Sequence, residues 1–238
     1  RSMNTGPSLA FVDCEIGANA GGSGGSGQVQ AQGRREVVIS GKRVKTVDIH
    51  AHCIVPEAAK LIDHSLEAPG LLWSNISDRL AQMDRSSVDV QVLSISPYWY
   101  RAERDAVAEF IRVQHEALAE FCASDQDRFV AFATAALQYP DLAAEQVEQA
   151  VKTLGFRGIG VGGSVAGEDL ANPKFHPFWA KCEELGVLVF MHPLGTLELE
   201  PSGRLAGNGL LTNTIGNPLE TTIALSHLIF EGTLDRFP

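Results

Sequence analysis

At 238 residues, 45% hydrophobic and 20% charged, the chain has the composition of a folded globular protein with one sizeable core or two small ones, which excludes disorder for its bulk. A formal net charge of −10 and the lack of a long Lys/Arg run argue against nucleic acid or an anionic membrane as the main partner, so an anionic small substrate needs positive charge supplied locally. No apolar run reaches the ~20 residues of a membrane span, and no basic-then-apolar start marks a signal peptide. Cys14, Cys53, Cys122 and Cys182 form no Cys-x-x-Cys pair, which points to reduced thiols and a cytoplasmic protein rather than a disulfide framework or a zinc ribbon.

Residues 1–36 form a zone apart, centred on NAGGSGGSGQVQAQG, a flexible Gly/Ser-rich segment with nothing to bury. Its GGSGGSG resembles an engineered linker and the opening RSM a cloning scar; only LAFVDCEI (Leu9 to Ile16) could pair as a strand. The folded unit is expected over 37–238. REVVISGKRVKTVDIH predicts two strands around a turn at Ser40 and Gly41, the second running into His50. EAAKLIDHSL and NISDRLAQMDRS have helical spacing, with Ser77 and Asp78 among the N-terminal polar groups. VDVQVLSIS is a β-branched strand closed by Pro97, and Glu103 to Ser124 form a long amphipathic helix.

The alternation then repeats. RFVAFATAAL predicts a strand, DLAAEQVEQAVKTLG a helix ending at Gly155, FRGIGVGG a strand, PKFHPFWAKCEELG a helix ending at Gly186, and VLVFMHP a strand. A long polar loop precedes one more helix, NPLETTIALSHLIFEGTLDRFP. Strands alternating with helices imply right-handed crossovers and a parallel sheet. The fold class expected is α/β, a (β/α)8 TIM-type barrel. Because such a barrel takes about 250 residues and only five β/α units are visible, the chain is expected to be truncated, or completed by another chain.

VDIHAHC (Val47 to Cys53) carries the first chemical signal. Residues two apart on a strand point the same way, so His50 and His52 can both project into the barrel mouth. Neutral imidazoles suit zinc and related first-row divalent ions, although a His-x-His pair alone also fits hydrogen-bonded structural histidines. His192, at the C-terminal end of the fifth strand, tips the balance. Barrel active sites gather at that end from several strands, and three histidines at strand ends are hard to explain as core filling.

These stretches, together with DRFVAFATAALQYPDLAAEQVEQAVKTLGFRGIGVGG and GNPLETTIALSHLIFEGTLDRFP, resemble the amidohydrolase superfamily, in the branch that contains aminocarboxymuconate-semialdehyde decarboxylase and related aromatic-acid decarboxylases and hydratases. The resemblance covers about 44–238. It implies a metal-dependent barrel enzyme with one divalent ion, usually zinc, held here by His50, His52 and His192. The implied reaction is non-oxidative decarboxylation of a small unsaturated or aromatic carboxylic acid, with hydrolysis or hydration of a ring-cleavage product as the alternative. The family's further histidine after strand six and aspartate after strand eight have no counterpart before Pro238, so the catalytic acid and base are unassigned, and an inactive fragment or interaction module is the reading from another class. A homodimer is also implied by the resemblance.

Other residues are candidates for substrate contact. Arg101 or Arg104 in SPYWYRAERD could fork onto a substrate carboxylate, with Arg101 the choice; Tyr98 and Trp99 could form a stacking wall. Asn217 begins the last helix, whose N-terminus could face an anion or simply be capped. IGVGGSVAG does not match a dinucleotide or phosphate-loop fingerprint. His64, His115, His176 and His227 lie in or beside predicted helices and are expected to be surface or satisfied core residues. Cys53 points away from His52 and is not expected to be a ligand.

Overall fold

The computed structural model describes residues 10–12, 36–63, 72–73, 76–196, 199, 202–207 and 209–238. Five parallel strands form its frame: β1 (Val47–Ile54), β2 (Val90–Ser94), β3 (Phe129–Ala133), β4 (Gly158–Val161) and β5 (Leu188–Met191). Each pairs in parallel with the next in sequence. The connecting helices are α1 (Ile76–Arg85), α2 (Arg104–Ser124), α3 (Pro140–Lys152) and α4 (His176–Leu185), with α5 (Asn217–Phe230) following β5. Successive parallel pairing through helical crossovers is the order of a (β/α)8 barrel, so all five strand ends that can carry a site lie on one face.

The local sequence accounts for these elements. α2 buries Val107, Phe110, Ile111, Gln114 and Leu118, spaced three and four apart, so one stripe faces the sheet. Each large apolar side chain so buried contributes about 1.5–3 kcal/mol. β2 is buried along its whole length, as expected of a parallel strand covered on both faces. α3 starts on Pro140 at its first position, where no N–H is required. α4 stops at Gly186, which adopts φ 59°, the left-handed cap that glycine takes without a Cβ clash.

The structure departs from expectation at several places. The stretch from Val37 to His50 holds three strands rather than two. Val37–Ile39 and Lys42–Val44 pair as a hairpin around Ser40 and Gly41, and the barrel strand starts afresh at Val47. The break falls at Thr46, whose N–H and carbonyl are both engaged by Asp89. Inside LAFVDCEI, Ala10–Val12 pairs antiparallel with the end of β1, and Leu72–Trp73 pairs with it in turn. The rest of the Gly/Ser-rich segment, Cys14 and His64 lie outside the described residues. EAAKLIDHSL is represented by a turn of helix at Pro56–Ala59 and a 3-10 turn at Lys60–Ile62. The last predicted helix is split: α5 ends near Phe230, Gly232 takes φ 77°, and Thr233–Arg236 form a separate turn. Among the described residues no helix is long and apolar enough to cross a membrane.

Candidate metal centre

A β-bulge starts the site. Val47 and Asp48 pair with Val90 and Gln91, but Ala51 and His52 pair with Leu93 and Ser94, so β1 carries one extra residue between Asp48 and Ala51. Such a bulge bends the strand and re-aims its side chains. It also removes a ladder partner, and the Asp48 carboxylate supplies one by accepting the His50 N–H at 3.1 Å. Asp48 is held in turn by the Gln91 amide at 2.9 Å, and Gln91 accepts from buried Arg79 at 2.8 Å.

The three histidines meet. His50 Nε2 lies 2.7 Å from His52 Nε2, which lies 3.1 Å from His192 Nε2. One nitrogen from each ring falls within 4.8 Å of the others. Among the described residues this is the one group of three or more His, Cys, Asp or Glu side chains so disposed. An ion 2.0–2.1 Å from imidazole nitrogens would set its ligand atoms roughly 3.0–3.4 Å apart, close to the spacings seen.

Electrostatics favours the neutral, ligating form of each ring. Burial, then His192 and His50, pushes His52 down to about 3; burial, then His50, pushes His192 down to about 4. Burial also lowers His50, against the pull of Asp48. Ser96 Oγ lies 3.1 Å from His52 Nδ1. With Nδ1–H donated to that hydroxyl, His52 keeps its Nε2 lone pair toward the other rings, the outer contact that metal-binding histidines commonly have. The buried Nδ1 of His192 has no hydrogen bond of normal geometry among the described residues. Crowded neutral ring nitrogens are a donor set that fits a divalent cation.

A cavity of about 210 Å³ lies among the loops that follow β2, β4 and β5, with walls that include Pro97, Tyr98, Tyr100, Arg101, Leu194 and Glu220. Pro97 follows Ser96, and Leu194 lies two residues past His192. Arg101 is exposed at its edge and has no ion-pair partner among the described residues. Arg104, the other candidate, is engaged with both carboxylate oxygens of Asp141. Tyr98 faces the cavity, but Trp99 does not. Its side chain is fully buried and its indole N–H donates to the Ala135 carbonyl at 2.8 Å, so it anchors the loop to the core.

Asn217 lies outside the cavity wall. A π-helical turn, Thr212–Gly216, runs into α5, and the Asn217 N–H is bonded to Thr212. That N–H is therefore not open to an anion, Pro218 has none to offer, and no side-chain cap is made there.

Sequence reasoning missed Ser96, Tyr100 and Glu220. Tyr100 was within reach, because Tyr98 and Tyr100 share a face when Trp99 turns inward. Buried Tyr100 accepts the Gly162 N–H at 3.0 Å, and burial raises its phenol so that it stays protonated. The histidines set aside as structural are satisfied elsewhere: His115 by Thr134, His176 beside Arg236, and His227 beside Glu231. Cys53 is buried and its thiol points to the Ser94 carbonyl.

Two relatives and one crystal structure give the comparison. The chain is 29% identical to the gamma-resorcylate decarboxylase of Rhodococcus jostii over 211 residues, 81% of this chain and 64% of that protein. It is 28% identical to the 2-amino-3-carboxymuconate-6-semialdehyde decarboxylase of Dictyostelium discoideum, covering 81% of this chain and 53% of that one. It superimposes with a TM-score of 0.69, at 25% identity over 82% of this chain and 63% of the other, on a dihydroxybenzoic acid decarboxylase from Polaromonas sp. JS666 with bound manganese and the inhibitor 2-nitroresorcinol. The 238 residues thus span less than two thirds of the length of these proteins. The expected barrel frame and the converging histidines agree with a match of residues 47–238 to the amidohydrolase family, and the chain belongs to that family.

Proposed function

We propose that this chain carries the metal-holding face and the carboxylate-binding wall of a divalent-metal, non-oxidative decarboxylase of a small aromatic or unsaturated carboxylic acid. The observation that supports it best is the meeting of three neutral imidazoles at the strand ends, on the side of the strands that holds a cavity edged by a guanidinium with no ion-pair partner among the described residues. The named activities of the relatives point the same way. Zinc is the ion that three imidazole donors favour; manganese, bound in the Polaromonas enzyme, is its competitor.

His50, His52 and His192 would hold the ion, which when bound supplies a Lewis acid to the substrate. Ser96, 3.1 Å from His52 Nδ1, would accept its N–H and leave Nε2 free for the ion. Arg101 would take a substrate carboxylate in a forked pair, while the Tyr98 ring lines the wall and the Tyr100 hydroxyl, whose oxygen accepts from Gly162, keeps its proton to donate. Loss of carbon dioxide requires a proton on the carbon left behind, a task the resemblance assigns to side chains of later strands. The described cysteines, Cys53, Cys122 and Cys182, are unpaired, which supports a reducing, cytoplasmic setting.

The test is carbon dioxide release by the zinc- or manganese-loaded protein from a panel that includes 2,6-dihydroxybenzoate, with ligand binding followed by calorimetry. Arg101→Ala should weaken binding of the carboxylate roughly tenfold or more, as loss of a charge-assisted pair does, while Arg104→Ala should leave it within about twofold. Neither binding nor turnover of any such acid by protein carrying one ion per chain would contradict the proposal.

A further inference from the structure

β5 ends at Met191, and the last bond of its ladder is the His192 N–H to the Val161 carbonyl at 2.7 Å. Pro193 has no N–H to give. The next two donors, the Leu194 and Gly195 N–H groups, both point at one oxygen: Glu220 Oε2 accepts them at 2.5 and 2.7 Å. Thr196 then donates its hydroxyl to the Gly216 carbonyl at 2.5 Å, at the start of α5. Every backbone donor from His192 to Gly195 is therefore accounted for, and the strap that leaves the metal centre is pinned to the first turn of α5.

Glu220 is 8% exposed. A carboxylate buried to that degree is costly unless hydrogen bonds compensate it, and the paired N–H groups do so. Gly163 makes the room. A Cβ at that position would lie 2.8 Å from Glu220 Cγ and Oε1, so the glycine-rich turn after β4 lets the carboxylate approach the strap. Gly163 has an ordinary backbone conformation; the demand for glycine is one of space.

We propose that Glu220 is a positioning residue for the metal centre: by accepting the two N–H groups that follow His192, it fixes the strand end that aims the imidazole at His52. The inference rests on the reading of His50, His52 and His192 as metal ligands. It adds that their alignment depends on a carboxylate outside the ligand set, on a helix whose sequence shows no sign of the role.

Cobalt(II) titration of the intact protein, read by its visible d–d absorption, tests this. Glu220→Ala should weaken cobalt binding roughly 10–100-fold, the range for loss of an outer-sphere contact, and should alter the d–d bands. Glu220→Gln retains an oxygen that can accept both N–H groups and should stay within about threefold of wild type with an unchanged spectrum. Gly163→Ala, which pushes the carboxylate off the strap, should fall between them, and it keeps the question open to test if Glu220→Ala fails to fold. Far-UV circular dichroism and melting curves separate misfolding from misalignment. Wild-type affinity and spectrum in both Glu220→Ala and Gly163→Ala would overturn the proposal, as would a Gln variant as impaired as the Ala one, since charge and not acceptor geometry would then matter. A wild-type protein that binds no cobalt would sink the metal reading itself, and this inference with it.

Discussion

The two ends of the barrel strands treat their polar groups in opposite ways. At the N-terminal end, charges are spent on one another. Asp89 accepts from the Arg43 guanidinium at 2.6 Å and from the Thr46 N–H at 2.8 Å, and Arg128 reaches the Asp89 carbonyl and the Asp84 carboxylate, each at 2.9 Å. At the C-terminal end, three rings crowd nitrogen against nitrogen, the buried Nδ1 of His192 goes without a good partner, and Arg101 has no counter-ion among the described residues. A buried polar group left unsatisfied calls for an explanation, and a bound ion is one that also accounts for the crowded rings. One end is therefore built for the fold and the other for a ligand.

Exchanging the fates of the two ends tests that contrast. The largest effect is expected from His52→Ala, which should weaken zinc binding by on the order of 100-fold or more while leaving the denaturation midpoint of the metal-free protein unchanged or slightly higher. Zinc titration and urea unfolding measured on the same variant check both halves; a large loss of apo stability with intact zinc affinity would break the comparison.

Next comes pH, through a histidine outside the metal centre. His115 is buried against Phe156, with Nε2 at 3.0 Å from the Thr134 N–H, and burial pushes it down to about 4 against the pull of the Thr134 carbonyl. Unfolded, it takes up a proton near 6.5; folded, only near 4. Between those values the unfolded state binds more protons, so stability falls as pH drops through that window and is unaffected by this group above it. The loss is on the order of 3 kcal/mol by pH 4. Unfolding curves of wild type and His115→Gln at pH 7 and pH 4.5 should show the wild type losing more stability, and equal losses would count against the assignment.

The smallest of the three effects is Asp89→Ala. It strands Arg43 and the Thr46 N–H, and is expected to cost about 2–3 kcal/mol with zinc affinity unaltered, by the same pair of measurements.

The frame was legible in the sequence because it follows from local pattern. β-branched runs, helical stripes and glycine stops place all five strands, and a histidine at a strand end is visible without coordinates. What escaped depends on distance along the chain or on one-residue shifts. The bulge in β1 is set by pairing with β2, some forty residues away, and it moves His50 without changing the residue pattern. The break at Thr46 comes from Asp89, equally remote. Trp99 resembled a cavity wall because aromatic residues in a loop beside a site invite that reading, but the loop alternates: Tyr98 and Tyr100 line the cavity while Trp99 turns to Ala135. Glu220 lies in the first turn of a helix, and its engagement with Leu194 and Gly195 spans a long loop that carries no signal of it.

Everything chemical here depends on one cation shared by His50, His52 and His192. Crystals grown with zinc, measured on either side of the zinc absorption edge, test that most directly. The account predicts a single strong anomalous peak about 2.0–2.1 Å from a nitrogen of each of the three rings. A map with no peak there, or with the rings turned apart and bonded to other groups, would contradict it.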